Sequence, residues 1–218
     1  MKDASSDSGW PDRTWRLLSR YENIRRAVYI VGAMPAAWVF YRGFTDRLGA
    51  DPVRLLEKTL GIWALRFLII GLAITPLRRL TNLNLVRYRR AIGLLAFFYA
   101  ALHLYAYLWF DQNLDMPAIW KDIVKRPYVT VGFAAFLILV PLAITSNNAM
   151  IKRIGGPAWN KLHKWVYVAC VLAATHFIML VKSWPPEPLI YAGLVAVLLA
   201  FRLVVYLQKR GARAARTT

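Results

Sequence analysis

Residues 159–181 read WNKLHKWVYVACVLAATHFIMLV, and the last 17 residues of this stretch contain no Asp, Glu, Lys or Arg. A helix needs roughly 20 residues to cross about 30 Å of hydrocarbon, and somewhat shorter stretches can be lengthened by flanking residues that reach the interface. The stretch therefore predicts a transmembrane helix over 165–181. His163 lies at the beginning of the same helix, just before its apolar part, and His176 lies near its far end.

Five further apolar stretches of similar length occur along the 218-residue chain. Hydrophobic residues make up 58% of the sequence, which is more than a soluble domain of this size needs for its core. The sequence thus predicts an all-α integral membrane protein, built as a bundle of six transmembrane helices. The other five predicted spans are 27–41, 59–76, 91–110, 128–145 and 188–207.

The distribution of the charge along the chain predicts its topology. The net charge of +18 would suit a nucleic-acid partner, but 20 of the 29 Lys and Arg residues fall in alternate connecting segments. Short loops rich in Lys and Arg stay on the cytoplasmic side of a membrane. We therefore predict that both termini are cytoplasmic, that the charge faces membrane lipids, and that no nucleic acid binds. The predicted cytoplasmic segments are 1–26, 77–90, 146–164 and 202–218.

The ends of the apolar part divide the chain into three regions. Residues 1–26 form a predicted cytoplasmic segment with an amphipathic surface helix, and they lack the features of a secretory signal. The transmembrane domain is predicted over 27–207, and a basic cytoplasmic tail over 208–218. The single cysteine, Cys170, excludes an internal disulfide and a Cys-ligated metal site, and we interpret it as a buried packing residue.

The three histidines of the sequence lie at two predicted depths. His163 and His176 are 13 residues apart on one predicted helix, about 20 Å along its axis, so they cannot bind the same ion. His103 lies about 13 residues into the third span, which enters the membrane from the same side, so its depth matches that of His176. Ionisable residues within a membrane are functional candidates, because burying them without a partner is costly.

A shared local pattern supports the pairing of His103 with His176. Both follow the pattern Ala-x-x-x-Ala-x-x-His, which places small residues on the helical face of each imidazole. Small residues leave room for a flat macrocycle, and helix bundles build cofactor sites from facing side chains. We predict that these two histidines are the axial ligands of one haem. Hydrogen bonding between helices is the alternative role.

At the depth of His163 there is no second histidine, because Arg89 occupies the position on the third span that matches His163. Arginine is a poor iron ligand but pairs well with a propionate. His163 therefore has three open interpretations: ligand of a second haem, contact to a flavin or quinone, or helix cap. Arg89, Arg78 and Lys164 are candidate partners of a propionate or a flavin phosphate. Arg66 is predicted to face the bundle and pair with a propionate of the first haem, and snorkelling is its alternative.

A short internal repeat suggests how the helices are organised. The sequence Leu-Ala-Ile-Thr ends the second span at 72–75 and the fourth span at 142–145, and each is followed by a span with a histidine near its outer end. This repeat predicts two related helical hairpins packed side by side. No Walker sequence, Gly-rich nucleotide loop, thiol pair or Ser/His/Asp arrangement occurs, so the predicted chemistry is electron transfer, with no hydrolytic site.

The histidine pattern resembles the ferric-reductase-like transmembrane domain, a superfamily that includes NADPH oxidases, ferric reductases and the bacterial MsrQ family. The pattern is Trp159-x-x-Leu162-His163-Lys164-x-x-Tyr167, with His176 following 13 residues after the first histidine. The similarity to the MsrQ family extends over nearly the whole chain. It includes the segments 63–67, 72–78, 89–94 and 142–146.

The resemblance implies a b-type cytochrome of the bacterial inner membrane, with one or two haem b groups and FMN as a further candidate cofactor. It implies electron transfer to a periplasmic molybdenum-containing methionine sulfoxide reductase, which repairs oxidised envelope proteins. The implied electron donor is the quinone pool or a cytosolic flavin reductase. The chain would then be the electron-transfer subunit of an oxidoreductase complex, and it would contribute no catalytic residue to methionine sulfoxide reduction.

Two departures from the superfamily pattern affect this interpretation. NADPH oxidases and ferric reductases usually have two histidines on each of two helices, whereas here the fourth position falls near Arg89, so two bis-histidine haems are not expected. Those relatives also carry a flavin and NADPH domain after the last span, so here the reductant is expected to be a separate molecule. Two alternatives stay open: a stand-alone ferric or cupric reductase, and a haem-free membrane scaffold or transporter.

Overall fold

The computed structural model describes residues 11–81, 83–181 and 185–214. Within these ranges the chain is helical and contains no β-strand, which confirms the predicted all-α class. A 3₁₀ turn at Val86–Tyr88 precedes the third helix, and a π-helical turn at Tyr107–Asp111 follows it. The helices are α1 (Pro11–Phe44), α2 (Pro52–Thr81), α3 (Arg89–Ala106), α4 (Met116–Lys125), α5 (Pro127–Ile144), α6 (Asn148–Ile154), α7 (Gly156–His163), α8 (Val166–Met179) and α9 (Pro186–Ala214).

Five helical segments are long and apolar enough to cross a membrane, by length and composition. In Pro186–Ala212 only 6% of the most apolar 18-residue window is buried within the protein. In Pro52–Thr81 the corresponding window is 50% buried. A soluble protein rarely exposes such large apolar surfaces, so these faces are suited to contact with lipid. The five segments are Pro52–Thr81, Val86–Asp111, Pro127–Ile144, Gly156–Met179 and Pro186–Ala212.

Two antiparallel helix pairs form the centre of the bundle. Helix α2 packs along α3, and α5 packs along α8, more extensively than any other helices of the described chain. Helix α1 lies against α2 and α3, and α9 lies against α2 and α8. This arrangement agrees with the two hairpins that the internal repeat predicts. We call the end at which α2 and α5 begin the paired-histidine end, and the end at which they finish the basic end.

The N-terminal helix differs from the prediction. The predicted surface helix and the predicted span 27–41 form one continuous helix, α1, which begins at Pro11. Its apolar part lies between Arg26 and Arg42, and α1 is not among the five apolar segments. A sixth span therefore stays a prediction. Residues 1–10 lie outside the described chain.

The helix that carries His163 and His176 also differs from the prediction of one helix. Helix α7 ends at His163 and α8 begins at Val166, with a turn at Lys164 and Trp165. Both turn residues keep right-handed helical dihedral angles, so the chain continues in a helical path and the two histidines remain far apart.

Two predicted connecting segments contain further helices, and α9 is longer than predicted. The segment 111–127, between the predicted spans 91–110 and 128–145, contains α4, and the predicted cytoplasmic segment 146–164 contains α6 and α7. Helix α9 extends to Ala214, beyond the predicted end at 207, and residues 215–218 lie outside the described chain.

Candidate functional site

The structure brings His103 and His176 together at the paired-histidine end. The centres of their imidazole rings are 6.2 Å apart, with an angle of 69° between the ring planes. His103 belongs to the last turn of α3, and His176 to the last turn of α8. The matching depths that the sequence predicts therefore correspond to a close approach between the two helix pairs.

Each imidazole is held by a backbone carbonyl of the neighbouring helix. The Nδ1 atom of His103 is 2.9 Å from the carbonyl oxygen of Glu57, and that of His176 is 2.7 Å from the carbonyl oxygen of Tyr128. A carbonyl can only accept a hydrogen bond, so in each ring Nδ1 carries the proton and donates it. The neutral ring then presents an unprotonated Nε2, which is the form that binds a metal.

A glycine lies against each of these imidazoles, and neither glycine is among the residues predicted from the sequence. A Cβ atom on Gly132 would lie 2.7 Å from Nδ1 and 2.8 Å from Cε1 of His176. A Cβ atom on Gly61 would lie 3.3 Å from the same two atoms of His103. Both glycines are four residues after the residue whose carbonyl accepts the imidazole proton. A glycine inside an apolar span is the sequence signal for such a close approach.

The spacing of the two rings fits a single ion between them. Metal–imidazole bonds are about 2 Å long, so two imidazoles that bound one ion would have ring centres about 6 Å apart. The observed separation is 6.2 Å. The described residues contain no group of three or more His, Cys, Asp or Glu that could hold a metal ion. His103 and His176 could hold a haem iron, and the macrocycle would then supply its other ligands.

The alanines of the predicted pattern lie in the packed interior beside the histidines. Ala96 and Ala169 are fully buried, and Ala100 and Ala173 pack against the same core. Their small side chains allow the helices to approach each other closely. Cys170 is also fully buried, as predicted.

Arg66 faces another helix of the bundle. Its Nε donates a hydrogen bond of 2.7 Å to the hydroxyl of Tyr191 on α9. Its guanidinium also lies over the ring of Trp63, 4.8 Å from the ring centre. These contacts agree with the predicted orientation towards the bundle, while the role of Arg66 with a propionate stays a prediction.

His163 lies at the basic end, apart from the other two histidines. Its ring stacks on Trp159, with centres 3.7 Å apart, and its Nδ1 is 3.0 Å from the Trp159 carbonyl oxygen. Its Nε2 is 3.4 Å from the hydroxyl of Ser146. No second histidine faces it within the described chain, so the structure leaves its three interpretations open.

The remaining predicted residues also lie at the basic end. Arg89 donates a hydrogen bond of 2.7 Å from Nη2 to the hydroxyl of Thr75. Arg78 is exposed in the last turn of α2, and Lys164 is exposed in the turn between α7 and α8. The structure thus separates these cations from the paired histidines by most of the length of the bundle.

The chain is similar to known proteins over most of its length. The profile of the family described as "Ferric reductase like transmembrane component" matches residues 60–174. A Brucella anthropi protein named "Protein-methionine-sulfoxide reductase heme-binding subunit MsrQ" is 56% identical over 177 residues, which are 81% of this chain and 80% of that protein. The proteins of the same name from Brucella ovis and Brucella canis are each 54% identical over 184 residues, 84% of this chain and 83% of each relative.

The chain belongs to the MsrQ family. The family match includes His103 and His163 and ends two residues before His176. In this MsrQ-family chain the structure places the ring of His176, which lies outside the profile match, 6.2 Å from the ring of His103, which lies inside it.

Proposed function

We propose that the chain is a b-type cytochrome subunit that transfers electrons across the bacterial inner membrane to a periplasmic, molybdenum-containing methionine sulfoxide reductase. Through that partner it supports the repair of oxidised envelope proteins. The name of its relatives, the haem-binding subunit of protein-methionine-sulfoxide reductase, supports this assignment. The methionine sulfoxide chemistry itself would take place on the partner.

The observation that carries the proposal is the pair of imidazoles with both Nδ1 protons bound to carbonyl groups. His103 and His176 would hold haem b through Nε2, and the bound haem would supply the reversible one-electron step. The two carbonyl bonds fix the tautomer and the orientation of each ring before any ligand binds. The apolar surroundings exclude water, and Arg66 is the candidate partner of a propionate.

We further propose six spans with both termini in the cytoplasm. Helix α1 would be the first span, because it is 34 residues long and packs along α2 and α3. The basic end would be the cytoplasmic one, because most of the Lys and Arg residues cluster there. The paired histidines would then lie near the periplasmic side, where a soluble partner could accept electrons.

The electron donor would act at the basic end. Candidate donors are the quinone pool and a cytosolic flavin reductase, and FMN or a second haem are candidate cofactors there. His163 would be a ligand or contact of that cofactor, and Arg89, Arg78 and Lys164 would be partners of its anionic groups. These cations suit a propionate or a phosphate, because arginine and lysine donate charge-assisted hydrogen bonds to both.

Haem binding is tested by reduced-minus-oxidised spectra of the purified protein together with haem quantification. We expect a b-type spectrum in the wild-type protein, and loss of the haem at the paired-histidine end in His103→Ala and in His176→Ala. In His163→Ala, the haem content should fall only if a second haem is present. A colourless wild-type protein, after expression with ample haem, would exclude the proposal in favour of a haem-free scaffold or transporter.

Electron delivery is tested in membrane vesicles that contain the chain. We expect reduction of methionine sulfoxide only when a quinol or a flavin reductase and the molybdenum enzyme are both added. His103→Ala vesicles should be inactive, and Gly93→Ala vesicles, altered at an exposed helical position, should match the wild type. Reduction of external ferric ions at the same rate without the molybdenum enzyme would instead indicate a stand-alone metalloreductase.

A further inference from the structure

Two arginines from different helices come together at the basic end, beside α2 and α8. Arg89 of α3 donates from Nη2 to the Thr75 hydroxyl, at 2.7 Å. Arg202 of α9 donates from Nη1 to the Tyr167 hydroxyl, at 3.0 Å, and from Nη2 to the Leu72 carbonyl oxygen, at 2.8 Å. Arg202 was not among the predicted site residues, because its position near the end of an apolar stretch makes it resemble the other topology-determining cations.

The charge of these two arginines is not balanced within the described chain. Neither forms an ion pair with a carboxylate there. Their hydrogen-bond partners on α2, the Thr75 hydroxyl and the Leu72 carbonyl, are three residues apart, so the two like charges meet α2 within one helical turn of each other. The Nε atoms of Arg89 and Arg202 are both buried and have no hydrogen-bond partner among the described residues. Permanently charged groups within a membrane bundle are costly without a counter-charge.

The contact between Arg202 and α2 has a structural explanation that does not account for this charge. Pro76 has no N–H group, so the Leu72 carbonyl lacks its usual donor four residues later in the helix. Arg202 supplies that donor. A neutral side chain could do the same, and the carbonyl needs neither a second arginine nor a buried Nε. The excess positive charge therefore requires another explanation.

We propose that Arg89 and Arg202 together bind one oxyanion, a carboxylate or a phosphate, carried by a membrane-borne ligand. The two unpartnered Nε–H groups would donate charge-assisted hydrogen bonds to it. Three sources share this chemistry: a haem propionate, a flavin phosphate and the phosphate of an anionic phospholipid. For a haem propionate or a flavin phosphate the inference rests on the proposed function, and for a phospholipid it rests only on the charge balance and the two unpartnered donors.

The sign of the coupling between the two arginines tests the site. We would measure Tm for the full chain in one detergent, as wild type, Arg89→Gln, Arg202→Gln and the double variant. If one anion bridges the pair, either single change releases it, so the double variant should be less destabilised than the sum of the singles, by at least about 2 °C. If the pair is bare, each single change relieves the same repulsion, and the double variant will be more destabilised than the sum. Additive or repulsive coupling overturns the proposal.

The three sources are separated by analysis of the same preparations. Haem is quantified as the pyridine haemochrome, flavin by fluorescence after acid release, and phospholipid as phosphorus per mole of protein. In the double variant Arg89→Gln with Arg202→Gln, we expect the amount of one of the three to fall by about one equivalent per protein. The one that falls is the ligand. Unchanged amounts of all three overturn the proposal.

Two controls make the result specific. Arg79→Gln removes an exposed cation from the same end and should leave the ligand in place. The double variant Arg89→Lys with Arg202→Lys keeps both charges and should retain more of the ligand than the double Gln variant. The haem lost in His103→Ala reports the haem at the paired histidines, and the ligand lost in the double Gln variant reports this site, so failure of the proposed function and failure of this site can be distinguished.

Discussion

At the scale of single residues, Gly61 and Gly132 determine whether the histidines can reach their carbonyl partners. A helical side chain leans towards the N-terminus and covers the turn before its own Cα. The residue four positions after a carbonyl therefore shields it from the side. Glycine at that position leaves the carbonyls of Glu57 and Tyr128 open to the imidazole N–H. Both helix pairs repeat this carbonyl-and-glycine arrangement.

Alanine at these glycines should weaken haem binding, and to different extents. At Gly132 the new Cβ would lie 2.7 Å from the imidazole, so His176 must move, and we expect haem affinity to fall by about 10–100-fold, as for other changes around a metal ligand. At Gly61 the closest distance is 3.3 Å, and we expect a loss below about tenfold. Haem titration of the purified variants measures both effects.

Gly93→Ala is the matched control, because a Cβ there meets nothing within 4 Å. It should bind haem like the wild type and be slightly more stable, since alanine favours the helix. Equal haem affinities for Gly132→Ala and Gly93→Ala would show that the His176 imidazole does not need the space that Gly132 leaves open. The order of the three variants therefore tests the geometry as well as the site.

At the scale of the elements, Tyr99 connects α1 to the rest of the bundle. Its side chain is fully buried, and its hydroxyl donates to the Gly32 carbonyl, at 2.7 Å, and accepts from the Ala36 N–H, at 3.0 Å. Pro35 lies between these two residues and removes one N–H from the helix. Tyr99 thus fastens α1 at the point where its own hydrogen bonding is weakest.

Tyr99→Phe should destabilise the protein without changing its haem spectrum. The change leaves two buried backbone groups without the hydroxyl, at a cost of about 1–3 kcal/mol. For a chain of this size we expect Tm to fall by roughly 2–10 °C. Thermal unfolding of the purified variant, followed by near-ultraviolet circular dichroism, measures the shift. An unchanged Tm would mean that the Gly32 carbonyl and the Ala36 N–H bond each other once the hydroxyl is removed.

Helix α4 shows how far sequence patterns extend at the scale of elements. Residues 111–127 connect two predicted spans, yet α4 begins after Asp115, whose carboxylate accepts a hydrogen bond from the Ala118 N–H. The side chains of Met116 and Trp120 on α4 are exposed, and that of Ile119 is buried. An aspartate cap and this spacing are signals of a short helix that hydropathy over long windows does not detect.

At the scale of the whole molecule, the difference in Lys and Arg content between the basic end and the paired-histidine end predicts that the basic end is cytoplasmic. Exposed positions at the basic end include Glu22 and Lys152, and exposed positions at the opposite end include Arg47 and Lys121. The native Cys170 is fully buried, so the chain offers an unreactive background for single-cysteine labelling.

Cysteine labelling in spheroplasts tests this topology and the sixth span together. A membrane-impermeant maleimide should label Arg47→Cys and Lys121→Cys from outside. It should label Glu22→Cys and Lys152→Cys only after the membrane is opened, because positively charged ends stay in the cytoplasm. The chain without new cysteines is the control and should remain unlabelled. If Glu22→Cys and Arg47→Cys label from the same side, α1 does not cross the membrane.

The sequence by itself determined the class of the protein and the pairing of His103 with His176. Apolar length, charge distribution and a rise of 1.5 Å per residue are local properties, so they predict helices and depths without knowledge of neighbours. The histidine spacing and the resemblance to the ferric-reductase-like superfamily agree with the family match over residues 60–174.

Only the tertiary structure decided which groups complete each site. The bond of His176 to the Tyr128 carbonyl beside Gly132, and the bonds of Arg89 and Arg202 to α2, join residues that are distant in the chain. Such contacts depend on which face each helix turns towards its neighbours. That orientation is set by packing of the whole bundle, and the linear pattern of a single helix does not contain it.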